Sequence, residues 1–132
     1  MPKPRASEVV LDASALIAFA EDEPGAQVVG RALDRAVIGT VNLSEVVAVY
    51  AGRGAPVEDV VDILRRLRLV IVPFDEDLAF RAGRLRPVTR RAGLSFGDRA
   101  CLALASRMRA PVLTADRAWA SLGIELEIRV IR

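Results

Sequence analysis

Short apolar runs rich in Val, Ile and Leu recur along the chain. They occupy residues 9–11, 36–41, 69–72, 111–114 and 128–131. Segments with helical periodicity separate them. Continuous apolar strands that alternate with helices are typical of a parallel sheet covered on both faces. The pattern therefore predicts an α/β fold, a three-layer α/β/α sandwich with a mostly parallel five-stranded sheet.

Residues 57–67 form the clearest predicted helix. Their apolar members recur at helical spacing, and charged residues such as Glu58 and Arg65 fall on the opposite face. This arrangement predicts an amphipathic helix.

Two more helix starts are predicted from capping boxes, in which a polar residue precedes an acid by three positions. Asn42 precedes Glu45 in this way, and Ser95 precedes Asp98. The two helices are expected to run to about Arg53 and Arg109.

Length and composition favour one domain spanning residues 1–132. The chain is 52% hydrophobic with a mean hydropathy of +0.30, which indicates that part of its surface meets a partner. No apolar run approaches the ~20 residues of a membrane span. Residues 1–5 lead into a strand-like segment instead of a signal core, so we expect a cytoplasmic protein.

The side-chain inventory excludes several kinds of site. Histidine is absent, which removes Ser-His-Asp and Cys-His catalysis and imidazole ligands for a metal. Lys3 is the only lysine among 19 basic residues, so a phosphate-binding-loop or Schiff-base lysine is also excluded. The single cysteine, Cys101, forms no intrachain disulfide and is predicted to be a helix core residue. Chemistry must therefore rest on carboxylates.

Four acids are predicted to meet at one edge of the sheet. Asp12 follows the first strand and Asp116 follows the fourth, and ligands of open α/β folds bind at the carboxyl ends of such strands. Glu45 and Asp98 fall in the first turns of the predicted helices, which start at that same edge. The nearby hydroxyls of Ser14 and Thr114 are candidates for assisting the site.

Each acid also has an ordinary structural interpretation. A carboxylate in a first helical turn usually caps backbone N–H groups, and one at a strand end usually shapes a turn. Four such coincidences at one edge are much less common. Four unneutralised acids would repel one another, and a divalent cation removes that conflict. Oxygen ligands in this number suit Mg²⁺ or Mn²⁺, which activate water for attack on a phosphodiester.

At this level of detail the chain resembles the PIN-domain endoribonucleases, specifically the VapC-type toxins of bacterial and archaeal toxin-antitoxin pairs. Four motifs carry the resemblance, and 33, 53 and 18 residues separate their acids. The motifs are residues 9–18 (VVLDASALIA), 42–47 (NLSEVV), 95–105 (SFGDRACLALA) and 112–119 (VLTADRAW).

The resemblance implies a homodimer that cleaves RNA to leave 5′-phosphate and 3′-hydroxyl ends, with a cognate antitoxin protein as its partner. It makes Asp12, Glu45, Asp98 and Asp116 the metal-binding and catalytic acids, with Ser14 and Thr114 orienting ligands or water. Arginines that flank the motifs are candidate phosphate contacts, although a solvated arginine is the commoner case. These arginines are Arg90, Arg91, Arg99 and Arg117.

Three other functions share parts of this pattern. A PIN-like module that binds RNA or protein without cutting would be expected to lack some of the acids. A phosphoryl-accepting receiver domain usually employs a lysine near its last strands, and none is present there. Haloacid-dehalogenase-like phosphatases need an acid two residues after the first aspartate, where this chain has Ser14.

Overall fold

A computed structural model describes residues 8–132. The prediction that residues 1–5 carry no secretion signal lies outside them. Within the described residues the chain forms five strands, which are β1 (Val9–Leu11), β2 (Ala36–Gly39), β3 (Val70–Val72), β4 (Val112–Thr114) and β5 (Ile128–Val130). It also forms seven α-helices, which are α1 (Ala13–Ala20), α2 (Ala26–Ala32), α3 (Thr40–Gly52), α4 (Val57–Arg66), α5 (Glu76–Arg84), α6 (Arg86–Thr89) and α7 (Phe96–Met108).

All five strands belong to one sheet in the order β3-β2-β1-β4-β5, and every neighbouring pair is parallel. The predicted α/β class and parallel five-stranded sheet are confirmed. The strand order reverses beside β1, because β2 lies on one side of it and β4 on the other. In open α/β sheets, the crevice at such a reversal is where ligands bind.

Helices cover both faces of the sheet, and a separate apolar core fills each face. Side chains alternate along each strand, so Val10 faces one core while Val9 and Leu11 face the other. The first core includes residues of α5 and α7 and the buried Trp119. The second includes residues of α1, α2 and α3. Both faces are buried in the three central strands β1, β2 and β4, which explains why these strands read as continuous apolar runs. In the edge strand β3, Val70 and Ile71 are exposed.

The start of α3 corrects a prediction. β2 ends at Gly39 instead of residue 41, and the helix already begins at Thr40. Asn42 is therefore inside the helix and buried, and the predicted capping box between Asn42 and Glu45 is wrong. The helix has no side-chain cap, and its N-cap residue is Gly39.

The other helix predictions agree with the structure. Ser95 and Asp98 form the predicted capping box at the start of α7. The predicted ends of α3 and α7 are confirmed, because Arg53 and Arg109 are their C-cap residues. α4 ends one residue before the predicted limit of 67. No helix within residues 8–132 has the length and apolarity to span a membrane.

Candidate active site

Asp12 leaves β1 at its carboxyl end and caps α1. The backbone N–H of Ala15 donates to its Oδ1 at 2.8 Å. The residue is only 4% exposed, because the start of the helix and the neighbouring strand β4 enclose it. A carboxylate this deeply buried needs several hydrogen-bond donors.

Ser14 and Thr114 supply those donors. The Ser14 hydroxyl lies 2.8 Å and 2.9 Å from the two carboxylate oxygens of Asp12. Thr114 Oγ1 donates to Asp12 Oδ2 at 2.7 Å. Ser14 also accepts from the backbone N–H of Ala115 at 2.9 Å, so the network joins the end of β1 to the end of β4. The predicted assisting residues thus contact the first acid directly.

The environment of Asp12 disfavours its negative charge. Burial raises its pKa from the ordinary value of 3.8 to about 6. Hydrogen bonds from Thr114, Ala15 and Ser14 oppose this rise, and the charge of Asp98 adds to it. A nearby cation would reverse the balance in favour of the ionised form.

Glu45 reaches the site from α3. Its Oε1 accepts a hydrogen bond from the side-chain amide of Asn42 at 2.8 Å. Burial raises its pKa, the bond from Asn42 lowers it, and the charge of Asp98 raises it further. Asp98 therefore acts electrostatically on both Asp12 and Glu45.

Asp98 lies in the first turn of α7 and also has a structural role. Its Oδ2 accepts from the backbone N–H of Ser95 at 2.9 Å, and its own N–H donates to Ser95 Oγ at 3.2 Å. The capping box fixes where this carboxylate leaves the helix. The structural interpretation of Asp98 as a cap is confirmed, and its role as a site acid stays a prediction.

Asp116 stands two residues beyond the end of β4. Its backbone N–H donates to Thr114 Oγ1 at 3.0 Å, and its Oδ1 accepts from the backbone N–H of Ala118 at 2.9 Å. The Thr114 hydroxyl donates a hydrogen bond to Asp12 and accepts one from the backbone N–H of Asp116. The threonine hydroxyl therefore links the first and last acids through two hydrogen bonds.

The structure connects Asp12, Glu45 and Asp98 by charge, at the carboxyl end of β1 and the starts of α3 and α7. Among the described residues, Asp116 is linked to Asp12 only through its backbone N–H and Thr114, and its carboxylate caps the turn at Ala118. In the conformations shown, no three acidic, histidine or cysteine side chains of residues 8–132 form a group that could hold a metal ion. No ion pair within those residues involves any of the four acids. The donor chemistry fits Mg²⁺ or Mn²⁺, because the set is all oxygen and two members have raised pKa values.

Sequence reasoning missed the contribution of Asn42 and Gly97. Asn42 binds both Glu45 and the backbone of Gly97, which lie on different helices. Local pattern identified Asn42 only as a cap, because the contact with Gly97 joins residues 55 positions apart.

Two of the candidate phosphate contacts have structural partners. Arg99 donates to the carbonyl of Ala82 at 3.1 Å, and its guanidinium lies over the ring of Phe96. Arg117 donates to the carbonyl of Arg132 at 3.2 Å. These contacts favour the structural interpretation for both side chains.

A comparison with family models decides the relationship: the PIN domain model matches residues 9–125. The chain belongs to the PIN-domain family. The match begins at β1 and includes all four acids. No curated protein sequence matches the chain significantly.

Solved structures share this PIN fold. A DNA-bound VapBC from Salmonella typhimurium has a TM-score of 0.71 at 17% identity, over 94% of this chain and 98% of that one. A toxin-antitoxin complex from Klebsiella pneumoniae has a TM-score of 0.71 at 20% identity, over 95% and 98%. VapBC-5 from Mycobacterium tuberculosis, a member of the VapBC family of toxin-antitoxin systems, has 25% identity and a TM-score of 0.59, over 96% and 99%.

Proposed function

We propose that this PIN domain is a divalent-metal-dependent endoribonuclease and the toxin of a toxin-antitoxin pair. It hydrolyses RNA phosphodiester bonds to leave 5′-phosphate and 3′-hydroxyl ends. The observation that carries the proposal is the buried Asp12 at the junction of β1 and β4, bound by Ser14 and Thr114 and facing the charge of Asp98. Capping of α1 accounts for one hydrogen bond of Asp12, and a cation site also accounts for a buried carboxylate with a raised pKa.

Mg²⁺ or Mn²⁺ would be held by carboxylates of Asp12, Glu45, Asp98 and Asp116. When bound, the ion supplies an activated water and neutralises charge that develops on the phosphate. The residues of the chain preorganise its ligands. Ser14 and Thr114 fix the Asp12 carboxylate through three contacts, and the capping box fixes Asp98.

The proposed antitoxin has a suitable apolar surface on this chain. A groove of about 470 Å³ lies between α1, α3 and α4. Its lining includes Phe19 and Val60, and Ile63 is 58% exposed on α4. In the amphipathic helix predicted from residues 57–67, Val57 and Ile63 are exposed while Val60 is buried. Part of this helix therefore offers an apolar surface that a partner would cover. The similar structures from Klebsiella pneumoniae and Mycobacterium tuberculosis belong to toxin-antitoxin systems, which supports an antitoxin as the partner of this chain.

Other parts of the proposal follow from the family. We propose that residues 1–132 fold as a single PIN domain, which the match over residues 9–125 supports. We also propose a homodimer in the cytoplasm, to be tested by light scattering and by cell fractionation.

Cleavage of RNA by purified protein tests the function. We expect cleavage with Mn²⁺ or Mg²⁺, none with EDTA, and loss of at least a hundredfold in rate for Asp12→Asn. Asp34→Asn is the matched control, because Asp34 is exposed on the turn between α2 and β2. Cleavage that survives in both EDTA and Asp12→Asn would contradict the proposal. RNA binding without cleavage at any metal concentration would identify the non-cutting binding module instead.

A further inference from the structure

The side-chain amide of Asn42 is buried between two helices. The residue is 1% exposed, and its Nδ2 donates to Glu45 Oε1 at 2.8 Å and to the carbonyl of Gly97 at 3.0 Å. Both neighbours can only accept, as long as Glu45 is ionised, so the NH₂ group must face them. Asn42 Oδ1 then has no hydrogen-bond partner within residues 8–132. An unpaired buried oxygen is unfavourable, so this orientation is maintained by the two bonds that the NH₂ group makes.

Gly97 encloses the same carboxylate from the opposite helix. A Cβ atom built at position 97 would lie 2.3 Å from Glu45 Oε2 and 2.5 Å from its Cδ. No side chain fits there while Glu45 keeps its position. Any larger residue at position 97 would therefore displace the Glu45 carboxylate, while the backbone of Gly97 is ordinary helix.

We propose that Asn42 and Gly97 form a seat that positions the Glu45 carboxylate beside Asp98. The inference rests on the proposed function, in which Glu45 is a metal ligand. A glutamate side chain has three rotatable bonds, and a ligand that must be ordered at the moment of binding costs affinity. The seat orders it in advance, because the amide fixes Oε1 and the missing Cβ leaves room for Oε2. Both are positioning residues, since neither needs to touch metal or RNA.

The test measures Mn²⁺ affinity of the intact protein from the electron paramagnetic resonance signal of free Mn²⁺. Asn42→Leu keeps the branching at Cγ and removes the unpaired oxygen together with the two bonds. We expect it to remain folded and to bind Mn²⁺ about tenfold or more weakly, as is typical when a partner of a metal ligand is lost. Gly97→Ala should displace Glu45 from the other side and weaken binding similarly. Thr89→Ala is the control, because Thr89 is a fully buried polar residue whose hydroxyl donates to the carbonyl of Leu85 and to none of the four acids.

A Glu45→Gln background separates positioning from a general structural role. Because Asn42 is proposed to act through Glu45, adding Asn42→Leu to the Glu45→Gln variant should cause little further loss of Mn²⁺ affinity. A purely structural role would lower the melting temperature in both backgrounds without changing the affinity of the folded protein.

Two results would overturn the inference in distinguishable ways. Wild-type Mn²⁺ affinity in both Asn42→Leu and Gly97→Ala, with cleavage still abolished by Asp12→Asn, would remove the seat and leave the proposed function standing. A wild-type protein that neither binds Mn²⁺ nor cleaves RNA would remove both.

Discussion

The buried carboxylate of Asp12 should make the metal-free protein less stable as the pH rises. Its pKa in the folded state is about 6, against an ordinary value of 3.8. Between these values the folded state binds more protons than the unfolded state, so the free energy of unfolding falls with increasing pH. This contribution to stability is complete below about pH 3.8 and is lost as the pH passes through 6.

Substitution of Asp12 by Asn isolates this effect. The pKa difference corresponds to roughly 3 kcal/mol at pH 7, at about 1.36 kcal/mol per pH unit. At pH 4.5 the same calculation leaves roughly 1 kcal/mol. Asn also replaces one acceptor oxygen facing Thr114 with an NH₂ group, which costs about 1 kcal/mol. We therefore expect Asp12→Asn to stabilise the metal-free protein by about 2 kcal/mol at pH 7 and by close to nothing at pH 4.5.

Urea unfolding in EDTA, followed by the fluorescence of the buried Trp119, measures the difference. Wild type, Asp12→Asn and the Asp34→Asn control are compared from pH 4.5 to 7.5. Saturating Mn²⁺ at pH 7 should stabilise the wild type and have little effect on Asp12→Asn. A stability difference between Asp12→Asn and wild type that does not change with pH would refute the reasoning, because it would show that Asp12 is not desolvated.

Three other predictions follow from the structure. Thr114→Val removes the donor to Asp12 and the acceptor for the backbone N–H of Asp116. We expect the free energy of unfolding to fall by about 1–3 kcal/mol and RNA cleavage to slow at least tenfold. Unchanged cleavage kinetics would exclude the hydroxyl from the site. Ile63→Asp places a charge in the apolar groove, so calorimetry should detect no antitoxin binding, while the free protein continues to cleave RNA. A complex that still forms would show that the antitoxin binds elsewhere. If arginines contact the RNA, binding to single strands should weaken with salt with a log-log slope of about −0.7 per phosphate neutralised, whereas a flat dependence would show that they do not.

Much of the fold could be predicted from the sequence, because strands buried on both faces contain apolar residues at successive positions. β1 and β4 read as apolar runs without alternation, since both of their faces pack against cores. The start of α7 was also predictable, because Ser95 and Asp98 satisfy each other within one turn. Local chemistry alone determines such features.

The start of α3 could not be predicted in the same way. Asn42 and Glu45 have the spacing of a capping box. Asn42 is nevertheless buried inside α3, where its side chain donates to the backbone carbonyl of Gly97 on another helix. The positions of Ser14 and Thr114 in the sequence predicted that both lie near the acids. Their hydrogen bonds to Asp12 depend on the pairing of β1 with β4, which the sequence does not report. Contacts between distant segments are set by the assembled fold, so no local pattern reports them.

Anomalous diffraction from crystals grown with Mn²⁺ tests the central claim most directly. We predict a manganese peak at the carboxyl ends of β1 and β4. Carboxylate oxygens of Asp12 and of at least one of the other three acids should lie at about 2.1 Å from it, close to the octahedral metal–oxygen distance of Mg²⁺. Crystals with no manganese at this edge, from protein that still cleaves RNA, would contradict the account.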